Sequence, residues 1–222
     1  MPTPLERALE DPAHAGATPL DALQLAREHW LRSGRLDMGV LARELGVSRA
    51  TLYRWVGTKE RLIGEVLWTF AETAMADARK KASGTGARYL ADATERYMQA
   101  ALDFAPLMRF IAQDPEYALK VLASKHSPMQ RRSIAATRDL LLEQVDRGKL
   151  RPALAPDELA FLIVRIVESY LYSDIITGRE PDVDGAVRAI HALLLAPPVR
   201  RAKRRAPRAA AGRRSTQPAR AA

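Results

Sequence analysis

The segment GVSRATLYRWVGTKERLI, residues 46–63, concentrates side chains that can bind nucleic acid. An arginine can donate two hydrogen bonds to guanine, and an alanine is small enough to meet the methyl group of thymine. Hydroxyl and ammonium groups can donate to phosphate oxygens, which fix a protein on the duplex without reading its sequence. The candidate DNA-contacting residues are Ser48, Arg49, Ala50, Thr51, Tyr53, Arg54, Trp55 and Lys59.

Two short helices must position these side chains. Asp37 can cap a helix over MGVLAREL, and Ser48 can cap a second helix over RATLYRWV. Gly46, between them, suits the positive φ of a sharp turn. Because Leu52 and Val56 lie four residues apart and point inward, the other positions of the second helix face outward. Two short helices that meet at a glycine follow the helix-turn-helix plan, in which the second helix lies in the major groove.

Two further helices flank this unit. The first begins with a capping-box pattern at Thr18 and Asp21 and ends at Gly34. Residues 58–81 form the last of these four predicted helices. Lys59 and the free amides at the start of this helix can bind one phosphate together. The alternative is an ordinary helical hairpin, in which the aromatic residues are half-buried and the basic residues form a solvated face.

The rest of the chain shows helical spacing of its apolar residues and no convincing strand pattern. Prolines fall near the predicted helix starts, and glycines fall where helices should stop. The sequence therefore predicts an all-α fold. The further predicted helices cover residues 87–104, 106–113, 115–124, 128–147, 156–176 and 183–195.

The chain divides into four predicted parts. A leader covers residues 1–17, the helix-turn-helix domain 18–66, a larger helical domain 67–198 and an Arg-rich tail 199–222. The stretch SGTG, residues 83–86, is the clearest linker within the body, although the fourth helix serves both sides.

The net charge of +9 comes from the tail. Residues 199–222 contain nine of the 35 basic residues and no acidic residue, which leaves 26 basic residues against 26 acidic ones. A stretch of Ala, Pro and Arg cannot build a core, so the tail is predicted to be disordered. Two interpretations stay open, a solvated extension or a mobile arm that contacts phosphates with salt-dependent affinity.

Composition also limits which cellular compartment and which cysteine chemistry the chain can have. The chain has no cysteine, which excludes disulfides and thiolate metal sites. The N-terminus lacks the pattern of an export signal, and the most apolar stretch is interrupted by Arg165, Glu168 and Asp174. The sequence thus predicts a soluble, cytoplasmic protein that does not enter the membrane.

The segment from Pro19 to Leu67 closely resembles the DNA-binding domain of TetR-type transcriptional regulators, and residues 46–63 carry that resemblance. It implies base contacts from Arg49 and Ala50. Some family members project a side chain onto DNA from the start of the second helix. This sequence departs from that pattern, because Gly39 has no side chain there. By the same resemblance Thr51, Tyr53 and Lys59 are phosphate contacts, and Trp55 lies against backbone or base.

The same resemblance implies a homodimer that binds a double-stranded DNA operator, and a small-molecule effector held by the larger domain. The helices at 156–176 and 183–195 are the expected dimer bundle, to which the second helix offers Val183, Val187, Ile190, Leu193 and Leu194. Residues 164–194 also resemble the C-terminal part of QsdR-type regulators, which implies an acyl or lactone effector. The function expected is a ligand-responsive repressor released from a palindromic operator.

Candidate pocket residues occur in two stretches of the larger domain. Arg165, Glu168 and Tyr172 are spaced three and four apart and can form one polar stripe on a helix. Because unpaired buried charges are costly, Arg165 and Glu168 must pair, reach solvent or meet a ligand. Apolar and sulfur-containing residues suit a hydrophobic ligand, although plain core packing explains them equally. The apolar candidates are Phe104, Met108, Ile111 and Tyr117.

Two other classes of function are the alternatives. An enzyme needs a reactive constellation, yet the four histidines are scattered without metal-ligand spacing, so we predict no catalytic residues, no metal and no cofactor. An architectural DNA-binding protein dominated by the basic tail is the second rival. It predicts little sequence preference and steep salt dependence, whereas a dimeric regulator predicts palindromic half-sites about 10 bp apart.

Overall fold

The computed structural model describes residues 16–124 and 127–197. Eleven α-helices and no β-strand occur in these ranges, which confirms the predicted all-α fold. All but the last two residues of the predicted leader, and the whole basic tail at 199–222, lie outside the described residues. The helices are α1 (Pro19–Ser33), α2 (Met38–Glu44), α3 (Arg49–Val56), α4 (Lys59–Lys81), α5 (Ala87–Asp103), α6 (Ala105–Gln113), α7 (Pro115–Ala123), α8 (Pro128–Asp146), α9 (Pro156–Leu171), α10 (Ser173–Thr177) and α11 (Val183–Leu195).

Short polar side chains begin the first four helices where the sequence predicts. Thr18 and Asp21 form a complete capping box at α1. Asp37, Ser48 and Thr58 accept backbone N–H hydrogen bonds at the starts of α2, α3 and α4. Each cap satisfies amides that have no partner within the helix, so local chemistry sets these boundaries.

The longest helix, α4, packs against α1, α3, α5, α7 and α8. An aromatic cluster continues the core around it, because the Trp30 ring of α1 lies 5.7 Å from Phe70, 6.1 Å from Phe104 and 5.9 Å from Phe110. The helix-turn-helix unit and the larger helical part therefore share one core. The predicted boundary between residues 66 and 67 falls inside α4 and stays a prediction.

The predicted linker SGTG is packed against the end of α8. Gly86 is buried, and its N–H donates to Oε1 of Gln144 at 3.0 Å. Gly86 has φ +59°, and a Cβ atom there would lie 2.1 Å from the carbonyl oxygen of Lys149. Only glycine fits such a conformation at such a distance, so this turn fixes α5 relative to α8.

The segment predicted as one helix over 156–176 is divided in the structure. It ends as α9 at Leu171, Tyr172 adopts φ −108° and ψ 21°, and the short α10 follows. The Ser173 hydroxyl donates to the carbonyls of Tyr170 and Arg179, each at 3.0 Å. The bond to Arg179 ties the break to the segment beyond α10, a contact that apolar spacing does not reveal.

The last helix serves the core of its own chain. α11 packs against α5 and α9. Ile190 and Leu194, which the sequence offered to a dimer bundle, are buried within the chain. Half-buried Val183, Val187 and Leu193 retain some accessible surface.

Candidate functional site

The corner between α2 and α3 has the predicted geometry. Gly46 adopts φ +66°, and the N–H of Val47 donates to the carbonyl of Ala42 at 2.9 Å. Leu52 is completely buried, which anchors the inner face of α3. The Ser48 hydroxyl accepts from the N–H of Thr51 at 3.0 Å, so this side chain holds the start of the helix.

The eight predicted DNA-contacting residues lie on or beside α3 and at the first position of α4. Val56 and Trp55 pack partly against the core. The other side of α3 is thus accessible to a large polyanion, and the individual DNA contacts stay predictions. Ser48, Arg49, Ala50, Tyr53 and Arg54 are exposed, whereas Thr51, Trp55 and Lys59 are half-buried.

Positive charge gathers near the start of α2. Asp37 accepts hydrogen bonds from the N–H groups of Val40 and Gly39, which lower the pKa of its carboxyl, and the charges of Arg49 and Lys59 lower it further. A Cβ on Gly39 would lie 4.0 Å from Nε of Arg49. The starts of α2, α3 and α4 therefore bring Arg49 and Lys59 to one surface, a convergence that local sequence patterns do not show.

A first cavity of about 300 Å³ lies among α4, α5, α8 and α9. Its wall is mostly apolar and includes two methionines and one tryptophan. Residues that characterise it are Trp68, Met75, Tyr97, Met129, Glu168 and Tyr172.

A second cavity of about 620 Å³ extends toward α1. Arg27 of α1 borders it, and the Arg27 guanidinium lies 4.8 Å from the centre of the Phe70 ring, which also lines the cavity. Tyr97 and Tyr172 line both cavities, so the two are neighbours. Both volumes fall within the roughly 300 to 1,000 Å³ usual for small-molecule sites.

The structure brings together only part of the predicted pocket. Glu168 and Tyr172 line the first cavity, and Phe104 and Tyr172 line the second. The remaining four predicted residues, Met108, Ile111, Tyr117 and Arg165, line neither of these cavities. Ile111 is buried in the core, and the Tyr117 ring packs edge-on against Phe110 at 6.1 Å.

Sequence reasoning missed Trp68, Met75, Tyr97 and Met129 as cavity residues. Each belongs to a helix whose apolar spacing is fully explained by core packing. The cavity arises only where α4 and α5 meet α8 and α9, which are distant from them in sequence, so no local signal marks its wall.

Glu168 is the buried charge of the first cavity. Arg165 Nη2 lies 2.5 Å from its Oε2, and Gln130 Nε2 donates to its Oε1. Burial raises the pKa of the Glu168 carboxyl, while Arg165 and Gln130 act in the opposite direction. The structure thus shows the ion pair between Arg165 and Glu168, which is one of the alternatives that the sequence left open.

The two tyrosines of the cavity wall are held neutral. Burial, followed by the negative charge of Glu168, raises the pKa of Tyr97 to about 12. Burial raises the pKa of Tyr172 as well, and the nearby Tyr97 and Glu168 add to the rise. Both phenols therefore keep their protons at neutral pH and can donate hydrogen bonds.

The described ranges also bear on metal binding and on membrane insertion. Within residues 16–124 and 127–197, no three or more His, Cys, Asp or Glu side chains are grouped to hold a metal ion. None of the helices described there is long and apolar enough to cross a membrane.

A helix-turn-helix with an exposed second helix, joined through one long helix to a larger helical part with cavities, is typical of one class, the DNA-binding transcriptional regulators. A family model described as the tetracyclin repressor-like, C-terminal domain matches residues 85–195, half of the chain. The transcriptional repressor QsdR of R. erythropolis, from the TetR family, is 33% identical, with a TM-score of 0.76, over 79% of this chain and 93% of that chain.

PfmR of Thermus thermophilus, a TetR family transcriptional regulator, is 24% identical over 78% of this chain and 96% of that chain, with a TM-score of 0.38. No curated protein sequence matches the chain. On the family model and the likeness to QsdR, the chain belongs to the TetR family of transcriptional regulators. It is a DNA-binding transcriptional regulator, and regulators of this family are generally not enzymes.

Proposed function

We propose that this regulator is a homodimeric repressor that binds a palindromic operator and is released by a small hydrophobic effector. The observation that carries the proposal is that α4 belongs both to the DNA-reading unit and to the cavity walls. Lys59 begins this helix beside the exposed face of α3, and Trp68, Phe70 and Met75 of the same helix line the two cavities. A ligand in either cavity touches the helix that holds the DNA-reading unit.

In this proposal α3 lies in the major groove. Arg49 and Ala50 read base edges, and Thr51, Tyr53 and Lys59 donate to phosphates. Ser48 shapes the start of α3 through its hydrogen bond to Thr51. Arg54 also faces the groove, and Trp55 lies against backbone or base.

Exposed apolar residues support a dimer through α9 and α11. The Phe161 side chain on α9 is 48% exposed, and Leu195 at the end of α11 is 61% exposed. Ile176, just beyond the break at Tyr172, is also exposed. Large apolar side chains on adjoining elements favour burial against a partner. A second copy, related by a two-fold axis, would cover them and set the spacing of the two recognition helices.

Contacts between α4 and the larger part provide the route for release. Arg132 of α8 lies 2.9 Å from Glu65 and 5.8 Å from the Trp68 ring, and Lys120 of α7 lies 3.6 Å from Glu60. An effector that moves the Trp68 side of α4 changes these contacts and the position of α3. For a tenfold loss of operator affinity, it must favour the released state by about 1.4 kcal/mol.

The effector itself is proposed from the cavity walls. They are mostly apolar and include Met75 and Met129, which suits a hydrophobic molecule. An acyl or lactone compound, the class implied by the resemblance to QsdR-type regulators, falls within this description.

Genomic footprinting with the full-length protein at physiological salt tests the proposal. We expect protection of a short palindrome beside a promoter, with half-sites about 10 bp apart or at a related helical spacing. Broad coverage without sequence preference would instead favour the architectural alternative based on the basic tail. Equal affinity of an effector for the free and operator-bound protein would rule out release by that effector.

A further inference from the structure

The Glu168 carboxylate has unused hydrogen-bonding capacity at the wall of the first cavity. Its side chain is 12% exposed, Oε2 is paired with Arg165 Nη2 at 2.5 Å, and Oε1 accepts a hydrogen bond from Gln130. A carboxylate can accept about four hydrogen bonds, so these two partners leave it capacity for a further donor. Buried acceptors of this kind favour a donor from a bound molecule.

Two tyrosines lie at the same junction. Tyr97 and Tyr172 line both cavities, and each is close enough to Glu168 for its charge to raise the phenol pKa. The phenols donate, and the carboxylate accepts. A ligand head group placed there meets both kinds of partner at once.

The charges that line the first cavity disfavour an anion. Glu72, Asp139 and Glu168 border it, and the one basic residue of its wall, Arg79, is paired with Glu143 at 2.6 Å. Asp139 is paired at 3.1 Å with Arg138, which does not line the cavity. Arg165, which neutralises Glu168, does not line this cavity. A negatively charged head group would face carboxylates without a free cation on the cavity side.

We propose that the first cavity takes a neutral amphiphile whose head group carries a hydrogen-bond donor beside an acceptor, as a carboxamide does. Its N–H donates to Glu168, and its carbonyl accepts from Tyr97 or Tyr172. Its apolar chain lies along the apolar side of the second cavity, formed by Leu67, Phe70, Phe104 and Leu107. The identification of this molecule as the effector rests on the proposed function. The head-group chemistry rests on the cavity alone.

A matched series of probes tests the head group. Isothermal titration calorimetry with the full-length protein would compare decanamide, methyl decanoate and decanoate, which share a chain but differ in donor and charge. We expect decanamide to bind at least tenfold more tightly than either of the others, a difference of about 1.4 kcal/mol. Methyl decanoate lacks the donor, and decanoate meets the acidic wall.

Variants test which side chains cause the preference for decanamide over decanoate. Glu168→Gln keeps the size of the side chain and removes its charge, so the ratio of decanamide to decanoate affinity should fall to about threefold or less. Glu158→Gln, an exposed change on the same helix, should leave the ratio unchanged. The double variant Tyr97→Phe, Tyr172→Phe should weaken decanamide several-fold and provides a second test if Glu168→Gln folds poorly.

Three results would overturn the proposal: no binding of decanamide, equal binding of decanoate by the unaltered protein, or an unchanged ratio in Glu168→Gln. The operator measurement is separate. If the operator is bound but decanamide is not, the head-group inference fails while the regulator stands. If the binding pattern holds but decanamide leaves operator affinity unchanged, the cavity chemistry stands and release by this class of ligand fails.

Discussion

Single side chains on α3 define how the chain would read DNA, and Arg49 is the most specific of them. It is exposed at the first position of α3, beside the space left by Gly39. We expect Arg49→Ala to cost about 1 to 3 kcal/mol of operator binding and to relax preference at one base position. Fluorescence anisotropy with single-base operator variants measures both effects. Arg88→Ala, an exposed change on α5, is the control.

Lys59 has a different role, because a point charge at a helix start binds phosphate without reading sequence. Lys59→Ala should weaken all DNA sequences by a similar factor and lower the slope of log affinity against log salt by about one. Lys80→Ala, near the other end of α4, should leave that slope unchanged. Loss of discrimination with an unchanged slope would show that Lys59 contacts a base instead.

For single residues, the sequence predicted the structural role where contacts between chain neighbours determine it. Asp37, Ser48 and Thr58 cap their helices as predicted, because a cap needs only neighbours along the chain. The residues of the cavity wall could not be predicted in this way. Tyr97 and Glu168 become neighbours through the packing of α5 against α9, which no short-range pattern specifies.

Among the helices, the contact between α4 and α8 is the tightest that a substitution can probe. A Cβ on Gly64 would lie 2.8 Å from Cγ and Cδ of Pro128, which is buried. Alanine normally stabilises a helix by about 1 kcal/mol over glycine, but overpacking costs about 1 to 3 kcal/mol. We therefore expect Gly64→Ala to lower the melting temperature and the operator affinity together, since α4 must shift.

The double variant Gly64→Ala, Pro128→Ala tests that explanation, because removing the proline ring should restore part of the loss. Differential scanning calorimetry and operator binding would be measured on the single and double variants. A higher melting temperature for Gly64→Ala alone would show that α8 yields without cost.

Helix existence was predictable, whereas helix continuity and the packing of linkers were not. The apolar spacing of 156–176 indicated one helix, but the structure divides it after Leu171, where the Ser173 hydroxyl also bonds to Arg179 beyond the break. The stretch SGTG has the composition of a flexible linker, yet Gly86 is buried against Lys149. In both cases the deciding contact comes from side chains or from residues distant in sequence.

For the whole molecule, the decisive question is whether two copies hold two recognition helices at a fixed spacing. Phe161 is the best single probe, because it is a large exposed apolar side chain on α9 and does not belong to the monomer core. Phe161→Glu would place two like charges at or near a two-fold axis, which desolvation makes costly. Sedimentation velocity should show a shift from dimer to monomer at micromolar concentration.

Loss of the dimer should also weaken operator binding by far more than tenfold, since each half-site would then be bound separately. The matched control is Leu20→Glu, the same kind of change at an exposed apolar residue of α1. It should leave the dimer intact. If Phe161→Glu also remains dimeric, the interface lies elsewhere, and the exposed surface of α9 and α11 needs another explanation. If it becomes monomeric but keeps full operator affinity, one helix-turn-helix suffices, and a palindromic operator is not required.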